Sequence, residues 1–236
     1  MSGYTSPLKH LGHSDLGIAH WLLYEKSIFT TWPCKNNRQW FIGVKAAKCG
    51  PGETPDRSVW KGTTPAMISE QYGDHFHPFG VDGRVQSIVD SAEKVVASNV
   101  FEESDFPSMF KGRVALLGDA AHSMTSFFGQ GACQAIEDAV ELGNAIATVQ
   151  RQSKNGTMDR TTLDVALEKY DWIRQKRAKD LVAFSAAYAR LHTANLPWPG
   201  AAGQMVRAFV YKYVPSVAWM WYLRWLWGYQ PVVDGI

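Results

Sequence analysis

The sequence predicts an α+β fold, and three observations predict it. Between Ile18 and Lys45, aromatic and β-branched runs are separated by a turn signal, as in an antiparallel sheet. Between Lys111 and Asn144, a short apolar run passes through a glycine-rich loop into a helix. From Thr162 to Ala194, apolar residues recur at helical spacing. A chain of 236 residues can bury a sizeable core in one or two domains. Its formal charge of +2 lacks the basic excess of a dedicated nucleic-acid binder, so no nucleic-acid partner is expected.

Taken in order, residues 1–20 carry His10, His13 and His20 beside Asp15. The three imidazoles share no helical or strand face, so polar loop and sheet roles are expected and no metal site. MSGYTSPLKHLGHSDLG has no long apolar core and no cleavage pattern, and a signal peptide is not expected. Strands follow at Ile18–Tyr24, Ser27–Pro33 and Gln39–Lys45, with Cys34–Arg38 as the turn between the last two. Residues 48–64 form a turn-rich loop. Thr64–Tyr72 starts with a proline and reads as a short helix. A second helix starts near Asp82 and runs through Val85, Ile88 and Val89, and Val95–Phe101 returns to strand. His75 and His77 beside Asp74 read as a polar turn that satisfies backbone groups.

Arg113–Leu117 is the apolar run that Gly118-Asp119 ends. The loop Ala120–Phe128 carries His122, Thr125 and Ser126. Gly129-Gln130-Gly131 then opens a helix with apolar or small residues at Ala132, Ala135, Ile136, Ala139, Leu142 and Ile146. A strand that leads through such a loop into a helix presents backbone N–H groups and the positive end of a dipole to an electron-rich ligand. The same spacing also suits an ordinary strand-to-helix connection packed tightly by glycine. Residues 150–160 are a polar loop. The long helix places Leu163, Ala166, Leu167, Tyr170, Ile173, Arg174, Arg177, Leu181 and Phe184 at helical spacing, with Arg174 and Arg177 also among the charges expected on its outer face.

The tail from Trp198 to Ile236 is rich in Trp and Tyr. Its most apolar run, Tyr213–Trp227, is broken by Pro215 and Arg224 and is too short to span a bilayer. Aromatic and basic residues together suit a helix lying on a membrane surface, and suit a buried cap over a sheet almost as well. Three domains are expected: 1–105, a substrate-side sheet with short helices; 106–195, the loop-to-helix motif with long helices; and 196–236, the aromatic tail. Three cysteines, Cys34, Cys49 and Cys133, lack metal-ligand spacing. They suit a reduced intracellular compartment, cytoplasmic or peripheral to a membrane.

GRVALLGDAAHSMTSFFGQGACQAIEDA resembles the second FAD-binding motif of the flavin-dependent aromatic hydroxylases, the group A flavin monooxygenases, in their fungal secondary-metabolism form. G-R-V, L-x-G-D-A-A-H, G-Q-G and E-D-A fall at the motif's offsets, and YDWIRQKRAKDL is similar to the family's helix with arginines at Arg174 and Arg177. The resemblance implies the middle antiparallel sheet and C-terminal helices of the flavin hydroxylase fold. It covers nearly all of this sequence but only the latter half of a full member, because the βαβ unit with G-x-G-x-x-G is missing.

What the resemblance implies for the site is specific. Asp119, beside Gly118, would bind the ribitol or ribose region of FAD, and the backbone of Gly129, Gln130, Gly131 and Ala132 would lie against the pyrimidine end of the flavin ring. Ser123 and Ser126 stand where the family usually has proline, which is expected to loosen the loop. Trp32, Trp40, Phe41 and Phe127 are the expected substrate-pocket residues. The implied activity is FAD-dependent hydroxylation or epoxidation of a small apolar secondary metabolite, with NAD(P)H as co-substrate. Two alternatives stay open: a cofactor-free cyclase or isomerase using Asp119, His122 and Glu137, and a non-catalytic subunit that docks on a partner chain, or on itself, through an exposed sheet edge.

Overall fold

Short strands rich in aromatic and β-branched residues pair into one antiparallel sheet. They are β1 (Ser2–Thr5), β2 (His20–Leu23), β3 (Ser27–Cys34), β4 (Arg38–Lys45) and, beyond helices α1 (Pro65–Tyr72) and α2 (Val85–Asp90), β5 (Ala92–Val96). The spatial order is β2-β3-β4-β1-β5. The structure is a computed structural model and describes residues 1–15, 17–45, 62–102, 105–126, 129–153, 159–196 and 201–233. It divides into two compact units, Met1–Asn99 with Arg190–Ala208, and Val100–Ala189 with Phe209–Ile236.

In the first unit β3 and β4 form the expected antiparallel hairpin, in register from Ser27 opposite Lys45 to Cys34 opposite Arg38. Asn36 (φ 64°) and Asn37 (φ 57°) take the left-handed conformations of its turn, which asparagine tolerates better than most residues. The strand expected at Val95–Phe101 lies instead at Ala92–Val96, because its partner is β1. That partner is closely packed at Gly3, where an added Cβ would lie 2.5 Å from the Lys94 carbonyl oxygen and 2.6 Å from the Phe41 ring. The core face of the sheet sets Phe29 and Phe41 against Ile68 and Tyr72 of α1 and Val85, Ile88 and Val89 of α2. The second helix begins at Val85 rather than near Asp82, whose carboxylate accepts from the Arg84 amide ahead of it.

His10 and His77 serve this unit as polar connectors. His10 Nε2 lies 2.9 Å from the Phe79 carbonyl oxygen. His77 is fully buried: its Nδ1 accepts from the Phe79 amide at 2.9 Å, and its Nε2 lies 3.1 Å from Thr31 Oγ1. Burial, and then the neighbouring His20, push the His77 pKa down to about 4. Its folded pKa is below the unfolded value, so the fold favours the neutral ring. The resulting stability is complete above about pH 6.5 and is lost as pH falls toward 4, by an amount on the order of 3 kcal/mol. Urea unfolding at neutral pH and near pH 4.5 is expected to show this loss, and His77→Gln is expected to reduce the pH dependence.

In the second unit, β6 (Phe110–Lys111) and β7 (Val114–Ala115) form a two-stranded antiparallel ribbon. The five-residue strand expected at Arg113–Leu117 is thus reduced to two paired residues. Helices α3 (Gln130–Gln152) and α4 (Arg160–His192) follow, the latter starting two residues ahead of the expected Thr162. Beyond them, α5 (Ala201–Tyr213) and α6 (Ser216–Trp227) build the tail, with Pro215 just before α6. Among the described residues, no helix is long and apolar enough to cross a membrane.

The helical spacing of α3 is as expected, but its buried face is not the expected one. Ile136 and Ile146 are exposed, at 65% and 41%, and Ala132 and Ala139 are exposed with them. The buried positions are Gln130, Gln134, Glu137, Asp138 and Val149. Likewise Arg174, expected on the outer face of α4, is completely buried among Ala166, Leu167, Tyr170 and Leu181, while Lys169, Lys176 and Lys179 do face solvent. The two misread faces have one physical cause: they pair with each other.

Candidate functional site

Asp138 is the anchor of the loop-to-helix motif. One of its oxygens, Oδ2, accepts from the Gly118 amide at 2.8 Å and from His122 Nε2 at 2.7 Å. The other, Oδ1, accepts from Arg174 Nε at 2.7 Å. Arg174 donates through its remaining nitrogens to Glu137 Oε2 and Gln134 Oε1, each at 2.7 Å. Arg177 adds a two-point contact with Glu137, at 2.6 and 2.9 Å. Burial alone would raise the Asp138 pKa, but hydrogen bonds from His122, the Gly118 amide and Arg174 outweigh it and hold the carboxyl below its usual range. Burial also opposes the charge on Arg174, and the two carboxylates overcome it.

This network fixes the turn that follows β7. Gly118 has φ +59°, a left-handed conformation, and an added Cβ would meet the Ala135 Cβ at 3.2 Å. Its carbonyl accepts from the Ala121 and His122 amides at 2.9 and 3.0 Å, which closes a single helical turn over Gly118–Ala120. Tyr170 donates to the Leu116 carbonyl at 2.7 Å and Asp171 accepts from the Met109 amide at 2.6 Å, so α4 also holds the ribbon. With Gly118 buried and tied, Asp119 is left exposed at the tip.

The start of α3 lies beside that tip. Gly129, at φ +61°, is the residue before the helix and provides no side-chain cap, and an added Cβ there would meet nothing within 4 Å. The first amides of α3, at Gln130, Gly131 and Ala132, lack intrahelical acceptors by helix geometry. An added Cβ on Gly131 would lie 3.8 Å from Asp119 Oδ1, so carboxylate and helix start are near neighbours. The Gln130 side chain turns inward, toward Gln134, and leaves only its backbone for a ligand. An exposed carboxylate beside uncapped amides, with open space at Gly129, is a donor and acceptor set that fits the sugar-alcohol chain and ring edge of a flavin.

Of the two serines in proline positions, Ser123 is tied down and Ser126 is exposed. Ser123 Oγ donates to the Phe101 carbonyl at 2.9 Å, and Thr125 and Ser185 share a 2.6 Å hydrogen bond. His122 and Glu137, the partners of Asp119 in the cofactor-free alternative, are at most 8% exposed and are held by Asp138 and the arginines. The His122 Nδ1 is buried with no hydrogen-bond partner among the described residues. A cavity of about 290 Å³ lined by Glu141, Asn144, Lys169, Tyr170, Tyr229 and Val232 includes none of the residues expected at the site.

The expected pocket residues divide. In the first unit, Trp40 lies opposite Trp32 on β3 and opposite Tyr4 on β1, and Trp21 meets Trp32 edge-on at 5.7 Å. These four rings form a partly exposed row on one face of the sheet. Phe41 points to the other face and is completely buried in the core, so it does not line open space. Phe127 lies outside the described residues, as does Cys49.

Comparison with known proteins identifies the family. Residues 27–185 match the family described as FAD binding domain. A FAD-dependent monooxygenase of Aspergillus niger, pynG, is 48% identical over 233 residues, which are 99% of this chain and 51% of that protein. A second, pytG of Aspergillus terreus, is 64% identical over 88 residues, 37% of this chain and 26% of its own length. The chain therefore spans about half the length, or less, of these curated relatives. Among solved structures, a salicylate hydroxylase substrate complex overlays with a TM-score of 0.68 at 20% identity, covering 97% of this chain and 53% of that one. Klebsiella pneumoniae HpxO complexed with FAD and uric acid overlays at 0.54 and 25%, covering 88% and 48%.

Proposed function

Because the chain belongs to the FAD binding domain family, with fungal FAD-dependent monooxygenases among its relatives, we propose that it forms the flavin-facing part of such a monooxygenase, acting on a small apolar metabolite with NAD(P)H as reductant. The observation that carries this reading is the exposed Asp119 carboxylate beside the uncapped amides of α3. When bound, the flavin supplies the redox and oxygen chemistry. Asp119 accepts hydrogen bonds from the ribityl hydroxyls and fixes the position of the chain that carries the ring. The amides of Gln130–Ala132 and the α3 dipole favour negative charge on the ring edge they face, without a titratable cation. The Asp138 network keeps the turn in place while the charge on the ligand changes.

The aromatic row Tyr4, Trp40, Trp32 and Trp21 offers flat apolar area suited to a planar or polycyclic substrate. The sequence has no G-x-G-x-x-G fingerprint for a pyrophosphate, and the strand pairings of the described residues are all antiparallel. The contacts this chain makes are therefore assigned to the flavin end of the cofactor. Fluorescence titration tests the assignment. FAD and riboflavin are expected to bind with affinities within about tenfold of each other, and ADP is expected not to compete. Binding of ADP without binding of riboflavin would remove the site from the Asp119 turn.

A further inference from the structure

Helix α6 has two faces of the same apolar character and opposite fates. Trp219, Tyr222, Leu223 and Leu226 face inward: Leu226 is fully buried, and Tyr222 stacks on Phe184 of α4 with centroids 4.0 Å apart. Trp219 stacks on Tyr211 and meets Tyr188 edge-on. On the opposite side Val217, Met220, Trp221, Trp225 and Trp227 are exposed at 62%, 67%, 77%, 45% and 62%. Arg224 stands exposed among them. Spacings of three and four residues put Val217, Met220, Trp221, Arg224 and Trp225 on one stripe. Water is a poor solvent for so many indole and thioether groups in one place.

The charge pattern says what covers that stripe. Between Leu181 and Val233 the sequence has no Asp or Glu, and the cations of that stretch that belong to the unit of α6 are Lys212 and Arg224. Lys212 and the exposed Phe209 and Tyr213 end the helix just before α6. An anionic surface gives a reason to exclude carboxylates from 53 consecutive residues, and the indoles select a bilayer as that surface. Indole rings settle at the headgroup level of a bilayer, and an arginine among them reaches lipid phosphates while its stem stays with the apolar groups. At 12 residues α6 is about 18 Å long, too short to span and suited to lying flat.

We propose that the outer face of α6 docks on an anionic membrane surface, with Val217, Met220, Trp221, Trp225 and Trp227 in the interfacial layer and Arg224 on lipid phosphate. This brings the chain to where apolar substrates partition and is independent of the flavin assignment.

Co-sedimentation of the full 236-residue chain with phosphatidylcholine vesicles, with and without phosphatidylserine, tests it. Binding is expected to be much stronger with phosphatidylserine, to weaken with salt and to shift tryptophan fluorescence to the blue. Each cation near an anionic surface contributes roughly fivefold, so Arg224→Glu is expected to lower partitioning about twentyfold or more. Trp221→Ser with Trp227→Ser is expected to lower it more than about tenfold on both vesicle types. Because these side chains are exposed, circular dichroism and Tm of the variants should match the parent. If no vesicle binds, the proposal fails. It fails equally if vesicle-free protein is a dimer that the tryptophan variants split, since a second copy then occupies the face.

Discussion

Asp138→Ala is expected to lower the stability of the chain by about 3–5 kcal/mol, the range for removing one partner of a buried ion pair. The loss is larger than a missing salt bridge suggests because three groups depend on the one carboxylate. Without it, Arg174, which is completely buried, keeps only Glu137 and Gln134, and the Gly118 amide and His122 Nε2 lose their acceptor. Asp138→Asn keeps the shape and one acceptor oxygen and is expected to lie between the parent and Asp138→Ala. Adding Arg174→Met to Asp138→Ala should recover part of the loss, because the unpaired interior cation is then gone. Urea midpoints for the two single variants and the double variant measure this coupling. Simple additivity would show that the two groups act independently.

Asp119→Ala is expected to weaken flavin binding about 10- to 100-fold while leaving the unfolding midpoint within about 0.5 kcal/mol of the parent. A hydrogen bond to a charged group contributes about 1.5–3 kcal/mol, which corresponds to that range of affinity, whereas exposed positions change stability little. Asp119→Asn retains an acceptor and should lose less. The two aspartates are thus separable. Asp138 variants move stability and flavin binding together, and Asp119 variants move flavin binding alone. An Asp119→Ala protein that binds FAD as the parent does would displace the ribityl contact from this residue.

The hairpin and the two short helices were legible because local chemistry dictates them. Alternating aromatic residues and the Asn36-Asn37 turn specify β3 and β4, and a proline opens α1. The place of β1 inside the sheet, between β4 and β5, was not legible, since Ser2–Thr5 is four residues with a glycine and no alternation to mark it. That unseen partner also moved β5 toward the N-terminus. At the site, Asp119 and the Gly129 turn could be named from the motif, but their support could not. Glu137-Asp138 on one helix and Arg174 and Arg177 on another were the available signal, adjacent carboxylates and arginines three apart. Hydrophobic periodicity reads such positions as solvent-facing. It has no way to represent charges that are buried because they meet 36 to 40 residues away.

The sharing of Asp138 also constrains the order in which this unit can assemble. If α3 docked before α4, the carboxylate would enter the interior without its cation. If α4 docked first, Arg174 would be the bare ion. Neither helix can settle ahead of the other at tolerable cost, and the Gly118 amide has no side-chain acceptor until Asp138 of α3 is in place, which in turn needs Arg174 of α4. The segment that presents Asp119 therefore matures late, when residues scores of positions downstream have already arrived.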